Sequence, residues 1–142
     1  MPSIEENPMR IADVMTRDLP TVAPSDNLSH AARQMTSAGV AALPVCDGER
    51  LAGIITDWDV TRAVASDRDA ADHMLGEYMT SDPVAVAPDT QLAEASEVMS
   101  ESRIHHLVVR DGERFAGMVH LDVDWSLMSG LETPIASFAA KI

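Results

Sequence analysis

Apolar and polar positions run through the same order of patterns twice along the chain. In the first half a short apolar step, Thr21-Val22, stops at Pro24. Leu28, Ala31, Ala32, Met35 and Ala38 follow at the spacing of one buried helix face. Two apolar runs, Ala42 to Cys46 and Leu51 to Ile55, are then separated by Asp47-Gly48-Glu49-Arg50, and Asp-Gly between β-prone runs predicts a hairpin. A second helix is predicted near Asp57 to Ala65. The second half repeats this as Val84-Ala85-Val86, then Leu92, Ala95, Met99 and Ser102, then His106 to Val109 and Phe115 to Val119, then a helix over Leu121 to Met128. Ser25 or Asp26, and Asp89 or Thr90, are the expected N-caps.

The repetition extends to identities. Met15-Thr16 recurs as Met79-Thr80, Val22-Ala23-Pro24 as Val86-Ala87-Pro88, and Asp47-Gly48-Glu49-Arg50 as Asp111-Gly112-Glu113-Arg114, each 64 positions on. The predicted fold is therefore α+β, a tandem β-α-β-β-α repeat with pseudo-twofold symmetry, two small sheets and a cleft between the copies. Repeat 1 is expected over residues 10–68 and repeat 2 over 74–128, with an acidic, Ala-rich joint at Asp67 to His73. A unit of about 60 residues buries little surface alone, and its copy supplies the missing face. In the tail, 129–142, Leu131, Ile135, Phe138 and Ile142 are spaced as one face of a short helix after Thr133-Pro134.

Composition narrows the function classes. Of 142 residues 46% are hydrophobic, which is enough for a packed core, and only 4% are aromatic, so aliphatic residues and methionine must build it. A net charge of −13 with scattered basic residues argues against a nucleic-acid polymer as ligand. There is no apolar run of the roughly 20 residues a membrane span needs. The first residues lack the basic and apolar regions of a secretory signal, so the expected compartment is the cytoplasm. The single cysteine, Cys46, is expected to be a buried thiol.

Val22-x-Pro24 with Leu28, Ala42-Leu43-Pro44-Val45, the Asp47-Gly48 turn and Gly53-Ile54-Ile55-Thr56-x-x-Asp59, in this order and duplicated, resemble the cystathionine-β-synthase-type (CBS) domain pair over almost the whole chain. The resemblance implies a regulatory module, not an enzyme and without a catalytic cofactor. It implies an adenine nucleotide (AMP, ADP or ATP) in the cleft between repeats, with S-adenosylmethionine or NAD as alternatives. It also implies a homodimer acting on a regulated protein that the sequence does not identify.

Thr56 and Asp59 sit where a strand hands over to a helix, three positions apart and on the same side of the first turn. A helix N-terminus with a threonine hydroxyl suits a phosphate, and a carboxylate matches a ribose diol. Carried over from the family, their partners are Thr80, Val84, Ile104, His105 and His106. Val84, Ile104 and Ile54 would sandwich the adenine, and His105 or His106 would reach the phosphates. Repeat 2 has His120 and Val123 where Thr56 and Asp59 stand, so one competent site is expected, with a weak, empty or differently occupied cleft near Val40, Ala41 and His120.

Other readings stay open from sequence. Thr56 and Asp59 also suit a plain helix cap, Trp58 either shields the ribose or lies on the surface, and the histidine pair fits an ordinary sheet edge. A second reading is a dimerisation or interaction scaffold without ligand. His105, His106, His120, Asp122 and Asp124 are metal-ligand types, but successive strand residues point to opposite faces.

Overall fold

The structure, a computed structural model, describes residues 9–121 and 138–139. In chain order its main elements are α1 (Leu28–Ala38), β1 (Ala42–Asp47), β2 (Arg50–Thr56), α2 (Asp57–Ser66), β3 (Ala85–Val86), α3 (Leu92–Ser102), β4 (His106–Asp111), β5 (Arg114–Leu121) and β6 (Phe138–Ala139). The α+β tandem repeat is observed as expected. The first strand of repeat 1 shrinks to a single parallel bridge, Val22 to Val45, where repeat 2 has the two-residue β3 parallel to β4.

The caps lie one or two residues beyond the expected ones. Asn27 caps α1, its side chain accepting from His30 N–H at 2.9 Å, while Asp26 accepts from Ala23 N–H at 2.8 Å and holds the preceding turn. Gln91 precedes α3 without a side-chain cap. α1 ends on Gly39 at φ 68°, the left-handed conformation that glycine adopts without strain. Its counterpart after α3 is Arg103 at φ 52°, the one non-glycine residue with positive φ among those described.

Both hairpins carry the same irregularity. β1 and β2 shift register between Val45 and Cys46, and β4 and β5 between Val109 and Arg110. The two hairpins are not separate sheets, as expected, but one, ordered β1-β2-β5-β4-β3. The join is at the turns: Arg50 pairs with Arg114, and Leu51 N–H donates to Glu113 O at 2.8 Å. The repeated Glu-Arg dipeptides cross there as exposed ion pairs, Arg50 to Glu113 at 4.0 Å and Arg114 to Glu49 at 3.7 Å, which add little stability themselves.

β6 pairs with the His120–Leu121 end of β5, so Phe138 and Ala139 are extended where the apolar spacing predicted a helix. The sheet offers an unpaired edge there, and backbone pairing overrides a short helical pattern. The predicted helix over Leu121 to Met128 lies outside the described residues apart from Leu121, which closes β5.

The repeats exchange their leading segments. Thr80, which opens repeat 2, bridges to Ile54 of β2, and Thr16, which opens repeat 1, bridges to Met118 of β5. Ile11 and Met15 accordingly pack in the core under α3, while Leu75 and Met79 pack with the core under α1. A third cluster, including Ala42, Cys46, Ile54, Val108 and Met118, fills the seam between the halves. Alternate strand residues thus serve two cores, Leu43, Val45, Leu107 and Val109 facing helices and their neighbours facing the seam.

Candidate functional site

The seam opens into a cavity of about 660 Å³. Ile54 reaches it from β2, Thr56 and Trp58 from the β2–α2 junction, and Thr80 from the exchanged segment. Val84, Ile104, His105 and His106 line it from repeat 2. Eight of the nine predicted site residues therefore converge from both repeats. Trp58 is 62% exposed and Val84 39%, so both stand at the rim.

Asp59, the ninth, is not on the cavity wall. It is 5% exposed, and its Oδ2 accepts from Thr56 N–H at 2.9 Å and from the Thr56 hydroxyl at 3.0 Å. Asp59 N–H in return donates to Thr56 Oγ1 at 3.2 Å, completing a capping box at the start of α2. The other carboxylate oxygen pairs with Arg62, and both side chains line a separate hollow with Ser66, Glu77 and Tyr78. In this arrangement Asp59 is a helix cap one hydrogen bond behind the wall.

That bonding fixes what Thr56 can offer. Its hydroxyl proton is committed to Asp59 and one lone pair to Asp59 N–H, so towards the cavity it accepts and does not donate. An acceptor matches a sugar hydroxyl, whereas a phosphate oxygen needs a donor. The helix terminus offers less to an anion than expected as well. Asp57 N–H donates to Ala41 O at 2.9 Å, and Asp57 and Asp59 place two carboxylates in the first turn.

Basic groups come from the other wall. Arg103 lines the cavity beside His105 and His106. Sequence inspection passed over it, although Gly39 at the equivalent helix end marks position 103 as one where a side chain carries a conformational cost. His120 of β5 also lines this cavity, not only the one assigned to it from sequence. Its Nδ1 lies 3.1 Å from His106 Nε2, as cross-strand partners in register. Burial foremost, then His120 and His105, lowers the His106 pKa to about 4. Ala41, Asp57, Asp82 and Pro83 complete the additions to the wall.

A second cavity of about 680 Å³ lies where the pseudo-equivalent cleft was expected, touched by Val40, Ala41 and His120 and extending between α1 and α2. Among the described residues no group of three or more His, Cys, Asp or Glu is placed to hold a metal ion, and no helix is long and apolar enough to cross a membrane.

The family model of the CBS domain matches twice, at residues 11–66 and 75–122. The chain belongs to the CBS-domain family. Protein YlbB of Bacillus subtilis (strain 168) is 32% identical to this CBS pair over 114 residues, covering 79% of this chain and 77% of YlbB. The arabinose 5-phosphate isomerase KdsD of Yersinia pestis is 30% identical over 116 residues, 80% of this chain but only 35% of that enzyme. The crystal structure of CBSX2 in complex with AMP is similar at 25% identity with a TM-score of 0.70, covering 78% of this chain and 89% of CBSX2.

Proposed function

We propose that this CBS pair is a regulatory, non-catalytic module that binds an adenine nucleotide (AMP, ADP or ATP) in the 660 Å³ cleft. The observation that carries the reading is one cavity, walled by both repeats, that combines the three features such a ligand needs. Ile54, Val84 and Ile104 supply apolar surface for a flat base, Thr56 an acceptor for a ribose hydroxyl, and Arg103 with His105 and His106 donors for phosphate. Thr80 and Trp58 border the same space. The volume falls in the roughly 300–1,000 Å³ range of small-molecule sites, and a similar protein, CBSX2, was crystallised with AMP. Asp59 enters this reading as the group that holds Thr56 in its accepting state, not as a direct ribose ligand.

Because the walls come from different repeats, a ligand between them favours one arrangement of repeats 10–68 and 74–128 over others. A protein that prefers the same arrangement, docked on a homodimer of the module, then responds to nucleotide level. Calorimetric titration with AMP, ADP, ATP, NAD and S-adenosylmethionine tests the proposal. Heat and a thermal shift with the phosphorylated adenosines support it, and the absence of both with every ligand removes it.

A further inference from the structure

The His106–His120 contact lies on the cavity wall and has no counterpart in the other half, where Ala42 and Thr56 occupy the equivalent paired positions. We propose that His106 and His120 act as a proton-accepting pair that makes the cleft select phosphate-bearing adenosine ligands, taking up a proton as the phosphate enters. This rests on the nucleotide reading above and adds the linkage of phosphate binding to pH.

The geometry is that of two imidazoles sharing one hydrogen bond, Nδ1 to Nε2 at 3.1 Å with ring centres 4.6 Å apart. Neutral imidazoles in such a contact offer a proton along the pair, and a first added proton is shared between them. Burial foremost, then His120 and His105, hold His106 down to about 4, so charge gained on this wall calls for an anion beside it. The other charged or titratable groups described on the cavity are Asp57 at the start of α2, Asp82 before β3, Arg103 after α3 and His105 before β4. The two carboxylates favour a protonated pair and oppose a phosphate. Arg103 does the reverse. A phosphate entering this wall therefore meets carboxylates that repel it unless the pair gains positive charge.

The sign follows from linkage. A phosphate beside the imidazoles stabilises their charged form and raises the pair's affinity for a proton, so the complex binds more protons than free protein and ligand. Affinity for AMP must then rise as pH falls from 8 to 6, approaching about tenfold per pH unit where a full proton is taken up. 5′-Methylthioadenosine, which carries adenosine without phosphate, gives no such gain.

The test is calorimetric titration of the full chain at pH 7 in two buffers of different ionisation enthalpy, with AMP and with 5′-methylthioadenosine. The expected result is uptake of about half a proton or more per AMP and near zero for 5′-methylthioadenosine. AMP's own second ionisation, near pH 6, is common to wild type and variants, so the His120→Gln and His106→Gln proteins isolate the pair by a drop in uptake. Equal proton counts for AMP in wild type and both variants, or equal counts for the two ligands in wild type, overturn this proposal and leave nucleotide binding standing. Absence of binding by either ligand overturns both.

Discussion

At the scale of single residues, the site turns on which atoms of Thr56 and Asp59 are already bonded. A capping box contributes about 0.5–2 kcal/mol to the helix it starts, and Thr56 belongs to one while also facing the cavity. Thr56→Val removes the acceptor and the cap together. The expected outcome is a loss of about 1 kcal/mol in urea denaturation and AMP affinity reduced about three- to tenfold, the weight of one neutral hydrogen bond. Thr56→Ser keeps the hydroxyl and should restore both. Binding unchanged in Thr56→Val, at a concentration where the variant is folded, removes Thr56 from the site. The spacing of Thr56 and Asp59 was legible in the chain, and the convergence of Val84, Ile104 and the histidines was implied by the family resemblance. Which way the Asp59 carboxylate points was not, because a cap and a ribose anchor use the same residue at the same turn position. Only the competition between Thr56 N–H, the Thr56 hydroxyl and Arg62 for its two oxygens decides it.

At the scale of elements, the ends of α1 and α3 show duplicated geometry filled by different residues. Gly39 and Arg103 both close their helices in the left-handed region, where a side chain costs roughly 1–2 kcal/mol. Arg103 tolerates that cost in repeat 2 and puts an arginine on the cavity wall. Arg103→Gly is therefore expected to raise stability by about 1 kcal/mol while weakening AMP about tenfold, in the range of a hydrogen bond to a charged group. Adenosine, without a phosphate, should be nearly unaffected. Equal loss for both ligands would place Arg103 away from the phosphate. α1, α2, α3 and the two hairpins could be read from the sequence because each rests on local signals: a 3.6-residue apolar period, Asp-Gly turns and a proline stop. The joining of the hairpins into one sheet at Arg50 and Arg114 could not. It depends on how two turns approach in space, and the Glu-Arg dipeptides look like ordinary exposed turn residues until they are seen to cross.

At the scale of the whole molecule, the two halves are held together by segment exchange, and the repeated glycines at 53 and 117 lie directly against the exchanged segments. A Cβ on Gly53 would lie 2.3 Å from Thr80 O, a backbone atom fixed by the Ile54–Thr80 bridge. A Cβ on Gly117 would meet Met15 Sδ at 2.6 Å and Thr16 O at 3.1 Å. The first neighbour is backbone paired in both directions. The second is mainly the end of a flexible methionine, which can turn aside. Overpacking costs about 1–3 kcal/mol where surroundings yield in part. Gly53→Ala should therefore fall at or above the top of that range and Gly117→Ala near the bottom, despite their equivalence in the repeat. Thermal or urea unfolding of the two variants measures the difference, and equal losses would mean that the Thr80 segment moves as readily as a side chain. The asymmetry also bears on binding, because Ile54, Thr56 and Thr80 line the cleft and Thr80 is held against the strand from which a Gly53 side chain would push it. Gly53→Ala is expected to lose AMP affinity at temperatures where it is still folded, while Gly117→Ala, whose strain falls on the Met15 side of the seam, should keep it.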